Sequence, residues 1–193
     1  MQAKAVFETA TIADAVKKAA RVAPAKGQAF DKAAGILLEI APDISTIKAT
    51  NLEISAGYET EAAALLKRSG LADRVTRRLV DIATSPEEIE SADVVVLHRV
   101  VCCYPDYERL LSAAASHAKR LLAFSHPPRN LFTRMIVSGE NLLHRLRGSD
   151  FRAFVHPPEA MIATAEAQGM SVSYQHRGLS WNIVGFERLA PTT

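Results

Sequence analysis

The sequence lacks the features of several common protein classes. Its two cysteines, Cys102 and Cys103, are adjacent, and adjacent cysteines rarely pair with each other, so no disulfide framework is expected. No apolar run is long enough to cross a bilayer, and the N-terminus lacks the apolar stretch of a signal peptide. We therefore expect a cytoplasmic protein that makes no membrane contact.

Closely spaced glycines are also missing. The chain has 9 glycines, and no two of them are separated by a single residue. Many nucleotide-binding α/β proteins use such glycines after a strand, because the backbone can then approach the ligand closely. The sequence therefore contains no loop of that kind.

The composition is that of a globular protein. Of the 193 residues, 48% are apolar and 23% are charged, which predicts one domain of ordinary size or two very small ones. The net charge of +2 is too small to indicate a nucleic-acid partner, so DNA binding is not expected from composition.

The first 55 residues predict the order β-α-β-β. A short alternating strand precedes a helix that begins at Thr11 and ends at Pro24, and two strands follow in "GILLEIAPDISTIKATNLEIS" with Pro42-Asp43 as the turn. In the last strand the apolar positions change phase between Ala49 and Leu52. This change indicates a bulge, burial on both faces, or a junction between segments of different origin.

Residues 58–193 alternate between strand and helix, which predicts a mostly parallel sheet with helices on both faces. "ADVVVL" is typical of a buried parallel strand, and the helix after it is capped by Asp106 and continues to Arg120. Its inward side chains are predicted to be Leu110, Leu111 and Ala114. The other predicted elements are a helix closed by Gly70, a strand "LLAFSHPP", a helix ending at Gly169 and a terminal hairpin.

The segment "NLFTRMIVSGENLLHRLRG" predicts an amphipathic helix, interrupted near Gly139. Its arginines accompany an apolar stripe: Arg129, Arg134, Arg145 and Arg147. The favoured interpretation is a packed helix with a solvated basic face. The alternatives are a cover for a substrate cleft and contact with an anionic surface.

Residues 49–193 resemble the C-terminal two-thirds of class I S-adenosylmethionine-dependent methyltransferases of the small-molecule type, with a distant similarity to magnesium-protoporphyrin methyltransferases. The resemblance rests on "ATNLEISAGYE", "ADRVTRRLVDI", "ADVVVLHRVVCCYPD", "AKRLLAFSHPP" and the closing hairpin. It implies a three-layer Rossmann-like α/β sheet, S-adenosylmethionine as cofactor and a small-molecule substrate. The D-x-G-x-G loop of that family is absent, which argues against cofactor binding and catalysis.

Residues 1–55 resemble the N-terminal β-α-β-β of a DNA polymerase sliding clamp, through "ATIADAVKKAARVAP", "AAGILLEI" and "IKATNLEIS". We interpret the chain as an engineered-looking chimera, 1–193 forming a single hybrid domain and 49–55 being the strand shared by both parts. The methyltransferase part lacks its central first strand, and "GILLEIA" is expected to fill that place antiparallel to the next strand, which makes the sheet mixed. We expect a monomer, or a swapped dimer that covers the same surface.

The methyltransferase resemblance implies roles for five residues. Glu53 would bind the ribose hydroxyls and Asp81 the adenine amino group, while His98, Arg99 and Tyr104 would line the cleft. His98 and Tyr104 are the catalytic candidates, with His98 as a general base. The alternatives are a solvated carboxylate for Glu53, a helix cap or surface acid for Asp81, and a hydrogen-bonded strand-end histidine for His98.

No metal site is expected, because Cys102 and Cys103 with His98 lack the spread of ligands that zinc needs. His126 and His156 precede prolines, so they are predicted in extended segments, with lining of the cleft as the alternative. Three functions follow: a folded hybrid with little or no catalysis, an active small-molecule methyltransferase, or a weak DNA-binding remnant. The third rests on the basic helical face of Lys17, Lys18 and Arg21.

Overall fold

The fold is taken from a computed structural model, which describes residues 34–40, 47–53, 59–68, 70 and 72–189. The predicted first strand and helix, with Lys17, Lys18 and Arg21, lie outside the described residues. The Pro42-Asp43 turn lies outside them as well.

Seven strands and four helices make up the described chain. The strands are β1 (Ala34–Ile40), β2 (Ile47–Glu53), β3 (Val75–Leu79), β4 (Ala92–Leu97), β5 (Ala118–His126), β6 (Met170–Arg177) and β7 (Asn182–Arg188). The helices are α1 (Glu59–Arg68), α2 (Tyr107–His117), α3 (Leu131–Leu146) and α4 (Pro158–Glu166). Single 3₁₀ turns cover Pro86–Glu88 and Val101–Cys103.

All seven strands form one mixed sheet in the order β3-β2-β1-β4-β5-β7-β6. The pairs β2–β3 and β4–β5 are parallel, while β7 is antiparallel to β5 and β6. β1 is antiparallel to both of its neighbours, β2 and β4. The prediction of a mixed sheet with "GILLEIA" in a central place is confirmed, as is the terminal hairpin.

The strand β2 pairs without a break on both of its sides. Ala34 to Ile40 of β1 face Glu53 to Ile47 in continuous register, and β3 pairs with the other side of β2 from Ala49 to Glu53. A bulge would place two residues of one strand opposite a single residue of the other. The prediction of a bulge in β2 is therefore wrong for residues 47–53, and the other two interpretations stay predictions.

The core lies where α2 packs on β4 and β5 and α4 packs on α2 and β6, and it includes two side chains of β7, Val184 and Phe186. Leu110, Leu111 and Ala114 of α2 are buried there, as predicted. The Phe124 and Phe186 rings stack with centroids 5.5 Å apart, joining β5 to β7. At the start of α2 the Asp106 carboxylate accepts the Arg109 N–H at 3.0 Å, which confirms the predicted cap.

Helix α2 ends three residues earlier than predicted, at His117, because long-range contacts start β5 at Ala118. The His117 ring bonds the Ala113 carbonyl at 2.8 Å and the Pro86 carbonyl at 2.9 Å. The Arg188 guanidinium donates to the carbonyls of Ala115 and Ala118. Tertiary hydrogen bonds thus override the helical propensity of the following residues.

Helix α3 differs from its prediction in two respects. It is continuous from Leu131 to Leu146, so the predicted interruption at Gly139 is wrong. None of its residues is buried and its large apolar side chains are exposed, so the expected packing of its apolar stripe is wrong as well. Among the residues that the structure describes, no helix is both long and apolar enough to cross a membrane.

Candidate functional site

The candidate site lies at one edge of the sheet, where five strands end. Because β2, β3, β4, β5 and β6 run in the same direction, their carboxyl ends share this edge. In sheets of this kind ligands bind at that edge. The edge carries Glu53 opposite Leu79, then Asp81, then His98 and Arg99 after β4, and His126 at the end of β5.

Asp81 holds two segments together. Its Oδ1 accepts the backbone N–H of Ala83 at 2.9 Å, and its Oδ2 accepts the Tyr104 hydroxyl at 2.8 Å. The structure thus joins two of the predicted site residues and gives Asp81 a capping role in the turn after β3. Each carboxylate oxygen has a second acceptor position, so Asp81 can still accept an N–H from a ligand.

Tyr104 is a hydrogen-bond donor at this edge. Its partial burial and its bond to the Asp81 carboxylate raise the pKa of the Tyr104 phenol to about 12. The hydroxyl therefore keeps its proton at neutral pH and cannot serve as a general base. Of the two catalytic candidates, only His98 can accept a proton there.

His98 lies at the end of β4 beside a buried serine. Its Nδ1 is 3.4 Å from Ser125 Oγ, which also accepts the Arg99 backbone N–H at 2.8 Å. Burial, and secondarily the Arg99 charge, lower the pKa of His98, so its imidazole is neutral at pH 7. This geometry is a hydrogen-bonded strand-end histidine that remains competent as a base.

Arg99 has a left-handed backbone with φ 58°. A non-glycine residue adopts this conformation only where its surroundings hold it. Its N–H bonds Ser125, its carbonyl accepts the Cys102 thiol at 3.6 Å, and its guanidinium lies 4.8 Å from the centre of the Trp181 ring. Trp181 immediately precedes β7, whose Asn182 pairs with His126 at the same edge.

Sequence reasoning missed Ser125 and Trp181. The only available signal was that the single tryptophan of the chain stands in the predicted terminal hairpin. Nothing in the neighbourhood of Ser125 in the sequence indicates its contact with Arg99, which is 26 residues away.

The adjacent cysteines lie next to Arg99 with their sulfur atoms 3.6 Å apart, and neither forms a disulfide. The hydrogen bond with Cys103, together with burial, raises the pKa of Cys102, so its thiol stays protonated. In the described part of the chain, no three His, Cys, Asp or Glu side chains cluster closely enough to hold a metal ion.

The segment 151–157 closes the site on one side. The Phe154 N–H donates to the Cys102 carbonyl at 2.7 Å, and His156 Nε2 lies 3.0 Å from the Tyr104 carbonyl oxygen. The His156 ring stands between Phe154, at 5.4 Å, and Tyr107, at 4.6 Å. His156 therefore anchors this segment above Tyr104, and burial lowers the pKa of its imidazole.

The other histidine before a proline, His126, is buried at the end of β5. Its Nδ1 lies 2.9 Å from the Pro127 carbonyl oxygen, and burial lowers its pKa. Both histidines thus hold extended segments in place.

The direction of β1 decides what this edge can bind. Because β1 is antiparallel, its carboxyl end, Ile40, lies at the opposite edge, and its first residue, Ala34, lies beside Glu53. The described chain therefore contains no strand-to-helix loop that leaves β1 at this edge. The described side chains at this edge offer a carboxylate, two aromatic rings and a guanidinium, from Asp81, Tyr104, Trp181 and Arg99.

No protein-family model matches the chain, and no curated protein matches it. Solved methyltransferases do share its fold. The magnesium protoporphyrin IX methyltransferase of Synechocystis PCC 6803, crystallised with bound SAH, superposes with a TM-score of 0.54 at 20% identity, over 72% of this chain and 62% of that one. An O-methyltransferase family protein from Burkholderia thailandensis gives a TM-score of 0.56 at 17% identity, over 70% and 42%.

A putative sarcosine dimethylglycine methyltransferase from Galdieria sulphuraria gives a TM-score of 0.54 at 14% identity, over 71% of this chain and 68% of that one. The chain spans less than two thirds of the first two proteins. Since all identities are low, the likeness establishes the fold alone. The chain has a Rossmann-like methyltransferase fold, which confirms the predicted fold class.

Proposed function

We propose that this chain is a methyltransferase-like protein that retains the adenosine half of an S-adenosylmethionine site but lacks its methionine half. The chain folds, but without the methionine half of the site it has little or no catalytic activity. The reversed direction of β1 carries this proposal, since the cofactor loop of the fold leaves the first strand at the edge where β1 here begins.

In this proposal the residues at the edge bind and orient the nucleoside. Glu53 accepts from the ribose hydroxyls, Asp81 accepts from the adenine amino group, and His98 and Arg99 line the cleft. The bound cofactor would supply an electrophilic methyl group. His98, neutral at pH 7, would take the proton of a hydroxyl acceptor, and Tyr104 would donate a hydrogen bond.

The proposed origin is a chimera of a sliding-clamp fragment, 1–55, and a methyltransferase fragment, 49–193, in a single hybrid domain. Its support is the antiparallel pair β1–β2, which lies inside the sheet between β3 and β4. A monomer and a swapped dimer both remain compatible with this origin.

Calorimetric titration tests the proposal with three ligands: S-adenosylhomocysteine, adenosine and methionine. We expect millimolar binding of the first two with similar affinity, and no binding of methionine. Asp81→Asn should weaken both nucleosides about twofold to tenfold, the effect of one hydrogen bond. Glu166→Gln, which removes one exposed charge from α4, is the matched control.

The second candidate is an active methyltransferase for a small-molecule hydroxyl acceptor, favoured by the neutral and partly buried His98. Micromolar binding of S-adenosylhomocysteine, at least tenfold tighter than adenosine, would establish this alternative and refute our proposal. A DNA-binding remnant would require retention of DNA on filters at low salt. We expect none, because one basic helical face neutralises only a few phosphates.

A further inference from the structure

Helix α3 presents an apolar stripe to solvent. Seven large side chains on this helix are between 45% and 75% exposed. They are Leu131, Phe132, Met135, Ile136, Leu142, Leu143 and Leu146. Their spacing of three and four residues places them on one face of the helix. Exposed apolar surface this contiguous marks an interaction site.

The opposite face of α3 is fixed to the protein. Asn141 makes a reciprocal pair of hydrogen bonds with Ala153, of 2.9 Å from its Nδ2 to the carbonyl and 2.8 Å from the backbone N–H to its Oδ1. The His144 ring packs edge-on against Phe151 at 4.9 Å. These contacts orient the helix, so its stripe faces outward and cannot turn inward without breaking them.

The charge around the stripe is mostly positive. The segment 129–147 contains four arginines and a single acidic residue, Glu140. Arg134 and Arg145 are eleven residues, about three turns, apart, so they lie on the same flank of the stripe. This local excess of positive charge is not apparent from the net charge of the whole chain, which is only +2.

We propose that α3 docks on the surface of an anionic phospholipid bilayer and lies in its plane. The apolar stripe would enter the boundary between headgroups and acyl chains, and the flanking arginines would contact the lipid phosphates. The helix has 16 residues and a length of about 24 Å, and it carries Arg134 and Glu140, so it lies on the bilayer and does not span it.

The charges beside the stripe disfavour a second copy of the chain as the partner that covers it. The stripe is nearly symmetric about Gly139, so two copies could pair antiparallel along it. In that pairing the flank with Arg134 and Arg145 would meet the same flank of the other copy, and Glu140 would approach its own counterpart. Both contacts join like charges, which repel each other, whereas an anionic bilayer attracts the arginines.

Cosedimentation with lipid vesicles tests this proposal. Vesicles are made of phosphatidylcholine alone or of phosphatidylcholine with phosphatidylglycerol. We expect binding to the anionic vesicles that weakens as salt is raised, and at least tenfold weaker binding for Phe132→Gln, which removes a deeply inserted ring. Arg134→Gln should weaken binding about fivefold.

Two matched variants serve as controls. Leu189→Gln removes an exposed leucine, and Lys119→Gln removes an exposed cation. Both residues lie at the edge of the sheet opposite the candidate site, so both variants should bind vesicles like the unaltered chain. All four variants change exposed side chains, so their thermal unfolding should be unchanged.

Equal binding to both kinds of vesicle, or binding to neither, would overturn the proposal. Dimerisation in sedimentation equilibrium that Phe132→Gln abolishes, without vesicle binding, would overturn it in favour of a second copy.

Discussion

The hydrogen bond between Tyr104 and Asp81 can be measured by a double-mutant cycle. Tyr104→Phe removes the hydroxyl that donates to Asp81 Oδ2 at 2.8 Å. A bond to a charged acceptor contributes about 1.5–3 kcal/mol, and Tyr104 is only partly buried, so we expect a loss of about 1 kcal/mol. For a chain of this length, that lowers Tm by about 2–4 °C.

Asp81→Ala should cost more. It removes the bond to Tyr104 and leaves the backbone N–H of buried Ala83 without its acceptor, which is 2.9 Å away. An unsatisfied buried donor costs about 1–3 kcal/mol, so the total loss should be about 2–4 kcal/mol. In the double mutant the shared bond is counted once, which predicts a coupling free energy of about 1 kcal/mol.

Urea unfolding gives the four free energies, and ultraviolet titration of the tyrosines provides a second measurement. Burial is the largest cause of the raised pKa of Tyr104, and Asp81 the second. In Asp81→Asn the pKa should therefore fall below about 12 but stay above its ordinary value of about 10.

The sign of the pH dependence follows. Because the phenol binds its proton more tightly in the folded chain, its contribution to stability is complete below about pH 10 and is lost as the pH rises toward 12. Tyr107→Phe is the matched control, since the hydroxyl of Tyr107 bonds the exposed Glu108 at 3.1 Å and should contribute little. Additive losses in the cycle, or a Tyr104 phenol with an ordinary pKa, would refute the reasoning.

Three further predictions concern stability. Acidification below about pH 6.5 should lower the free energy of unfolding. Burial lowers the pKa of three histidines in the folded chain, so the unfolded chain binds more protons than the folded chain does. Midpoints of urea unfolding measured across this pH range check the prediction. The histidines are His98, His126 and His156. Gly139→Ala should raise the free energy of unfolding by up to about 1 kcal/mol, since its added Cβ meets open space in α3. Gly178→Ala should lower the free energy of unfolding, because its Cβ would lie 2.5 Å from the Trp181 carbonyl oxygen. Equal Tm shifts for the two variants would contradict this prediction. Phe124→Ala should lose about 3–5 kcal/mol in urea unfolding, because its ring is buried against Phe186.

Much of the fold could be predicted from local patterns. The apolar run Val94–Leu97 lies in a buried strand, and Asp106 caps α2. The reversed β1 was also predictable, because a short connection between neighbouring strands makes them antiparallel. These features depend on residues close to one another in the chain, which a sequence displays directly.

The remaining features depend on contacts between distant residues. Amphipathicity revealed the apolar stripe of α3 but could not show whether another element covers it. The end of α2 is set by Arg188, about 70 residues away. Similarly, the left-handed Arg99 depends on Ser125 and Trp181, which the fold alone brings to it.

The antiparallel placement of β1 has a consequence for the order of folding. Leu38 pairs with Ala49, close in the chain, and with Val94, more than fifty residues away. Local pairing closes a short loop and is fast, so β1 and β2 should associate before β1 reaches β4. Until then β4 has an open edge of unpaired backbone groups in its most apolar stretch. Refolding at high protein concentration should therefore lead to aggregation through this strand.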